Sequence, residues 1–225
     1  MNATLRQIAV LMAKDLRIEG RTRQTLGLVL VLGILIVSVL GLGLGAQPQV
    51  AALGSPAILW VAYLFSGVLC FEKTMAVERQ DGALAGLLLA PIDRGVIFAS
   101  KLISNLILMI SVAAIITPVG ILFFSFDLSA APGSFVLIIV ISMIGFAAVG
   151  TLFAALVSSS KLQGGLLSLL IFPIILPLVI ASTQQMTAIF RDGQAPGGSG
   201  LAILIAFDAV FLVVSWLVFE LLLEP

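Results

Sequence analysis

Long apolar runs dominate this 225-residue chain and constrain its fold more than any other feature. Apolar residues make up 61% of the sequence and charged residues only 10%, against about 45–50% and 25% in soluble domains. A helix needs about 20 apolar residues to cross a bilayer, whereas membrane β-strands show short alternating segments. Six continuous runs qualify as helical spans, approximately Thr25–Leu44, Pro56–Phe71, Leu102–Phe124, Ser134–Val157, Gly165–Ser182 and Leu201–Leu222. The sequence therefore predicts an all-α polytopic membrane protein.

The lengths of the first two runs affect how each is interpreted. The first is too long for the apolar region of a signal peptide, so we expect it to be retained as a span. The second is short for a full crossing. We therefore expect its helix to begin before Pro56 or to continue into Glu72–Lys73.

The distribution of Lys and Arg predicts the orientation. Cytoplasmic loops of membrane proteins carry an excess of these residues. One side of the predicted topology holds a single cation, Arg191. The other side holds ten, namely Arg6, Lys14, Arg17, Arg21, Arg23, Lys73, Arg79, Arg94, Lys101 and Lys161. This bias places both termini in the cytoplasm.

The segment Thr4–Glu19, before the first span, has helical periodicity. Its apolar side chains share one face, namely Leu5, Ile8, Ala9, Met12 and Leu16. Such a pattern is typical of a helix that lies in the membrane interface. A solvated leader with chance periodicity is the alternative.

The cytoplasmic segment Glu72–Lys101 is much longer than the usual connection of about 2–8 residues between packed helices. Leu84, Leu87 and Leu88 share one face at helical spacing. Charged residues precede them, and Pro91 ends the pattern; the charged residues are Glu78, Arg79 and Asp81. We predict a short amphipathic helix whose leucines are buried by the membrane or by a soluble partner.

The sequence lacks several of the features on which catalytic sites depend. The chain has no histidine and a single cysteine, Cys70, so an internal disulfide and a cysteine–histidine metal site are excluded. No Walker lysine motif and no nucleophile–base set is present. We therefore expect no catalytic residues and no metal site, with energy supplied by another chain or by an ion gradient.

A few residues within the spans suggest a role beyond packing. Asp208 is expected to face the bundle, either in a hydrogen bond to a Ser or Thr of another span or in a substrate path or gate. Pro173 and Pro177, four residues apart, predict a kink that is either a static bend or a hinge. Trp60 is expected to be an anchor in the outer aromatic belt, with a flat surface for a hydrophobic ligand as the alternative.

The cytoplasmic segment carries a resemblance to a known group. The pattern Glu78-Arg79-x-x-Gly82-x-Leu84-x-x-Leu87-Leu88, followed by Ala90-Pro91, resembles the coupling segment of type-2 ABC exporter permeases. Within that group the chain is similar to the CcmB family of haem-exporter permeases, which act in cytochrome c maturation. The closer match lies in three stretches: Ser55–Ala62, Phe71-Glu72-Lys73 with Gln80-Asp81-Gly82, and Gly164–Ser168 with Pro173 and Pro177.

The resemblance implies a non-catalytic permease subunit in the bacterial inner membrane. Its partners would be a CcmA-type ATPase dimer, a CcmC-type haem-handling subunit, a small CcmD-type subunit and the CcmE-type haem chaperone. ATP would bind the ATPase, haem would be handled by the partners, and hydrolysis would be tied to release of the loaded chaperone. Residues 1–225 would form one transmembrane domain: an interfacial helix (1–24), spans one and two (25–71), the coupling segment (72–101) and spans three to six (102–225).

Other functions remain open at this level. An exporter of a lipid-linked glycan or drug would have the same topology and coupling segment. A scaffold that anchors an assembly complex would transport nothing. An ion-driven carrier would depend on Asp208, the only carboxylate predicted to lie deep in a span.

Overall fold

The computed structural model describes residues 3–44, 48–80, 92–124, 126, 128, 131–159, 166–193 and 195–222. Within these residues the chain is helical and contains no strand. The helices are α1 (Ala3–Thr22), α2 (Gln24–Leu44), α3 (Pro48–Gln80), α4 (Arg94–Phe124), α5 (Pro132–Ser159), α6 (Leu166–Asp192) and α7 (Gly198–Leu222).

Helices α2 to α7 are each long and apolar enough to cross a membrane, and within the described part of the chain they are the ones that qualify. This confirms the predicted all-α polytopic fold with six spans. Helix α1 covers the predicted interfacial helix and packs against α4 and, less extensively, α2. Successive spans alternate in direction, so the bundle has an α1 end, where α2, α4 and α6 begin, and an opposite end.

Two helices extend beyond the predicted spans. Helix α3 begins before Pro56 and continues past Lys73 to Gln80, so the second span is lengthened at both ends. Helix α4 begins at Arg94 rather than at Leu102, because Asp93 caps its first turn. Only residues 81–93 then remain between α3 and α4.

Helices α3 and α5 form the centre of the bundle. In the most apolar window of each span, 61% of the α3 residues and 72% of the α5 residues are buried, against 17% in α2 and 22% in α7. Helices α2 and α7 therefore lie at the perimeter. Their exposed leucines and valines suit contact with lipid, which solvates apolar side chains as well as a protein core does.

Two glycine–phenylalanine contacts join α3 to α5. The ring of Phe71 on α3 lies over Gly150 on α5, and the ring of Phe146 on α5 lies over Gly67 on α3. The two rings meet edge to face, with centroids 5.2 Å apart. A Cβ at either glycine would overlap the opposing ring, so small residues permit this close approach, as is common between membrane helices.

The turn between α6 and α7, at the opposite end, is held by one side-chain amide. Gln185 on α6 accepts a hydrogen bond from the Gly197 backbone N–H at 3.1 Å and donates one to the Gly197 carbonyl at 3.2 Å. Gly193 ends α6 and Gly198 begins α7, both with positive φ. Glycine adopts this conformation at low cost, which explains its use at both ends of the turn.

Candidate functional site at the α1 end of the bundle

The predicted coupling segment leaves the bundle between the end of α3 and the start of α4. Glu78 and Arg79 lie in the last turn of α3, which ends at Gln80. The remaining predicted coupling residues lie outside the described residues, namely Asp81, Gly82, Leu84, Leu87, Leu88 and Pro91. On the other side of the segment, the start of α4 contacts the last span.

The start of α4 is fixed by its cap and by α7. The Asp93 carboxylate accepts a hydrogen bond from the Gly95 backbone N–H at 3.1 Å, an N-cap arrangement. Trp216 of α7 packs so closely on Gly95 that no Cβ fits there. The Arg94 guanidinium donates to the Glu220 carbonyl near the end of α7 at 3.5 Å. The chain that follows the coupling segment is therefore anchored to the last span.

A group of polar side chains lies buried or half-buried at this end of the bundle, and we call it the α1-side polar cluster. Its members are Asp15, Glu19, Thr74, Lys101, Asn105 and Thr151. The Lys101 ammonium on α4 forms an ion pair of 2.8 Å with the Asp15 carboxylate on α1, and their side chains are only 7% and 15% exposed. Lys14 lies 3.2 Å from the same carboxylate. The ion pair ties α1 to α4.

Glu19 ties α1 to α2. Its side chain is 7% exposed, and its carboxylate accepts a hydrogen bond from the Leu26 backbone N–H at 2.7 Å. Leu26 lies in the first turn of α2, where backbone N–H groups lack intrahelical partners and favour a negative charge. Between them, Arg23 adopts a positive φ of 50°, which turns the chain so that the end of α1 faces the start of α2.

Asn105 on α4 links three helices through its amide. Its oxygen accepts a hydrogen bond from the Thr74 hydroxyl of α3 at 3.1 Å, and its nitrogen donates to the Thr151 hydroxyl of α5 at 2.9 Å. Asn105 and Thr151 are 1% and 0% exposed. Removing one partner would leave a buried polar group unsatisfied, which costs about 1–3 kcal/mol.

The α1-side polar cluster joins five helices next to the predicted coupling segment. A cavity of about 30 Å³ lies beside its members, enough room for one water molecule. The cluster holds α3 just before the segment and α4 just after it. A displacement of α4 would therefore change bonds to α1, α3 and α5, and α1 in turn is bonded to α2.

Trp60 does not lie in the outer aromatic belt, and that expectation is wrong. The side chain is 0% exposed, so it cannot offer a flat surface to a ligand in this structure either. Its indole N–H donates to the Ser182 hydroxyl of α6 at 2.9 Å, and the Ser142 hydroxyl of α5 donates to the same oxygen at 2.9 Å. We call Trp60, Ser142 and Ser182 the central polar group. Trp60 can be buried because its indole N–H has a hydrogen-bond partner in this group, inside the bundle.

Asp208 lies on the inner face of α7, where it meets α5. Its side chain is 8% exposed, and its Oδ1 atom packs against Gly145, where a Cβ would overlap it. Among the described residues Oδ1 has no hydrogen-bond partner. The predicted hydrogen bond to a Ser or Thr is therefore not found for this oxygen. The prediction that Asp208 faces the bundle agrees with its burial.

Pro173 and Pro177 lie within α6, which is helical from Leu166 to Asp192. Both rings are exposed on the outer face of this helix, away from the α1-side polar cluster and from the central polar group. Their roles as a bend or as a hinge both remain predictions.

Sequence reasoning missed most of the α1-side polar cluster. Lys101 was considered only as a cation of the cytoplasmic side, and Asp15 and Asn105 were not singled out. A signal existed, because Lys101 and Asn105 begin an apolar run, and ionisable or amide residues there usually face the protein interior. No group of three or more potential metal ligands occurs in the described ranges.

Comparisons with known proteins identify the family. A relative described as "Heme exporter protein B" from Paracoccus denitrificans is 27% identical over 205 residues, covering 90% of each chain. The Haemophilus influenzae protein of the same name is 26% identical over 171 residues, 76% of each chain. The Escherichia coli protein of that name is 31% identical over 72 residues, about a third of each chain. The family model described as "CcmB protein" matches residues 6–222, and the chain therefore belongs to the CcmB family.

Proposed function

We propose that this chain is the membrane-spanning permease subunit of an ABC-type haem exporter complex that serves cytochrome c maturation. Membership of the CcmB family, with a match over residues 6–222, carries the proposal. The names of the relatives supply the haem-export assignment. The six-span fold and the amphipathic segment between α3 and α4 suit a subunit that receives its energy from a partner.

In the proposed mechanism, a partner ATPase binds the segment around Glu78–Ala90 through Leu84, Leu87 and Leu88. Glu78, Arg79 and Asp81 orient the contact. Nucleotide-driven closure of an ATPase dimer moves this segment and thereby the adjoining ends of α3 and α4. The α1-side polar cluster passes the movement from α4 to α1 and α5, which are bonded to α4 directly. Glu19 of α1 then passes it to α2.

Haem ligation is assigned to partner proteins in this proposal. The chain has no histidine, the commonest axial ligand of haem iron. Cys70 is 1% exposed, so its thiol is not presented to a ligand at the surface. We propose that the output of the cycle is the release of a haem-loaded chaperone outside the cytoplasm, with CcmC-type and CcmD-type subunits in the same complex.

The test is affinity purification of the tagged chain in a mild detergent, followed by mass spectrometry of the proteins that accompany it. An ATPase together with haem-handling proteins supports the proposal. An ATPase alone would retain the ABC permease and reopen the substrate, including a lipid-linked glycan or a drug. Absence of any ATPase would contradict the proposal.

A pair of variants sharpens this test. Leu87→Asp places a charge on the predicted docking face and should abolish recovery of the ATPase, while the chain still inserts into the membrane. Leu89→Asp makes the same change on the opposite face of the predicted helix and should retain the ATPase. Equal recovery with both variants would show that this face does not dock the ATPase. Normal cytochrome maturation with an ATPase-dead partner would favour a scaffold instead.

A further inference from the structure

Helix α1 carries a strip of positive charge along the side that faces away from the bundle. At 3.6 residues per turn, Arg6, Lys14, Arg17 and Arg21 fall within about 80° of arc around the helix. Together with Val10 and other apolar residues they form one continuous face of α1. Over a rise of 1.5 Å per residue the strip is about 22 Å long.

The acidic residues of α1 are turned in the opposite direction. Asp15 pairs with Lys101 on α4 and with Lys14 at the edge of the strip, and Glu19 caps the first turn of α2. Both carboxylates are thus occupied by partners inside the protein. The outer face retains the exposed guanidinium groups of Arg6, Arg17 and Arg21, and its charge is strongly positive although the whole chain has a net charge of zero.

Apolar side chains accompany the arginines. Val10, between Arg6 and Arg17 on the same face, is 61% exposed, and Ile18 at the edge of the strip is 38% exposed. An exposed valine among arginines is well suited to the headgroup–acyl boundary of a bilayer. Arginine also binds phosphate oxygens in a planar, bidentate geometry.

We propose that this face of α1 binds the phosphodiester headgroups of anionic phospholipids, with Arg6, Arg17 and Arg21 as the phosphate-binding residues. Charge complementarity selects an anionic over a zwitterionic lipid, and the exposed apolar residues select a lipid over free phosphate. The bound lipid secures α1 to the membrane on its outer side, while Asp15 and Glu19 secure it to the bundle on its inner side. The inference depends on the geometry of α1 and not on the transported substrate.

The experiment is native mass spectrometry of the full-length protein, titrated in detergent with dioleoyl phosphatidylglycerol or dioleoyl phosphatidylcholine. The wild-type chain should bind phosphatidylglycerol more tightly than phosphatidylcholine. Each cation near an anionic surface contributes about a fivefold gain in affinity. Arg17→Gln combined with Arg21→Gln should therefore weaken phosphatidylglycerol binding about 25-fold, whereas Arg17→Lys with Arg21→Lys should stay within a few-fold of wild type.

The matched control is Arg191→Gln, which neutralises an arginine at the opposite end of the bundle and should leave binding unchanged. If the double Gln variant does not fold, Arg21→Gln alone, in the last turn of α1, should still show the fivefold loss. Equal wild-type affinity for the two lipids, or an equal loss for both in the Gln variants, would overturn the proposal. If inorganic phosphate at the same concentration competed fully with the lipid, the ligand would be free phosphate, and the proposal would likewise be overturned.

Discussion

The Lys101 ammonium lies 2.8 Å from the Asp15 carboxylate, and this contact joins the helix before the first span to the helix that follows the predicted coupling segment. Neither charge belongs to the apolar pattern that defines the fold. Removing one charge of a buried pair is costly because the remaining buried charge loses its nearest partner. The pair is therefore a specific mechanical connection between α1 and α4.

Breaking this ion pair should destabilise the protein. We expect Asp15→Asn and Lys101→Met each to lower the free energy of unfolding by about 3 kcal/mol, measured by equilibrium unfolding in mixed micelles. Combined in a double-mutant cycle, they should show a coupling energy of at least about 0.5 kcal/mol, since contacting residues are not additive. Lys14→Met is the control, because the Lys14 side chain is 36% exposed and its pair should contribute less than about 1 kcal/mol. Additive single effects would show that Lys101 and Asp15 do not interact.

The contact between Phe71 and Gly150 should tolerate no added atom. Gly150→Ala places a Cβ within the Phe71 ring, and overpacking of this kind costs about 1–3 kcal/mol. Thermal unfolding of the detergent-purified variant should begin at a lower temperature than that of wild type. Gly43→Ala is the matched control, because it lies in α2 with open space around the new methyl group. A fall in unfolding temperature that is no larger for Gly150→Ala than for Gly43→Ala would contradict the close approach of α3 and α5.

The burial of Trp60 can be tested by fluorescence, because the chain has two tryptophans. Trp60 is fully buried and Trp216 is 41% exposed. In nanodiscs of brominated lipid, the Trp216→Phe variant should emit from Trp60 with little quenching. The Trp60→Phe variant should emit from Trp216 with strong quenching. Strong quenching of Trp60 would show that its side chain faces lipid and would contradict its burial in the bundle.

Asp208 should be replaceable by a neutral residue of the same shape. A charged carboxylate in the middle of a span costs about 2.5–3.5 kcal/mol on insertion scales, and Oδ1 has no hydrogen-bond partner among the described side chains and backbone groups. We therefore expect Asp208→Asn to unfold at the same temperature as wild type or at a higher one. A clear loss of stability would reveal a partner that requires the carboxylate.

The same Asp208→Asn variant also tests an ion-driven mechanism. The proposed ATP-driven function predicts that cytochrome maturation in cells persists with this variant. Full activity would eliminate ion coupling through Asp208, whereas complete loss of activity in a stably folded protein would support it.

The fold class could be predicted from the sequence because lipid imposes a simple requirement. Each span must satisfy its backbone hydrogen bonds internally and present apolar side chains over about 20 residues. Runs such as Thr25–Leu44 meet this requirement locally, and α2 coincides with the predicted first span to within one residue. The helical periodicity of Thr4–Glu19 was likewise sufficient to predict α1.

The short second run indicated that α3 would extend beyond its apolar residues, but the exact ends of α3 and α4 could not be predicted in this way. Charged residues near these ends interrupt the apolar pattern, yet helices continue through Glu72–Lys73 and begin at Arg94. The deciding groups are local caps such as Asp93 and contacts with other helices such as Trp216 on Gly95. Hydropathy does not record either of them.

Sequence by itself determined the membrane environment, the number of spans and the family resemblance, because each depends on residue types at short separations along the chain. Tertiary structure alone decided that Trp60 is buried, that Asn105 bridges α3 and α5, and that Asp15 faces inward while Arg17 faces outward. These outcomes depend on which helices are neighbours. Partners such as Trp60 and Ser182 are separated by 122 residues, and no local pattern specifies their contact.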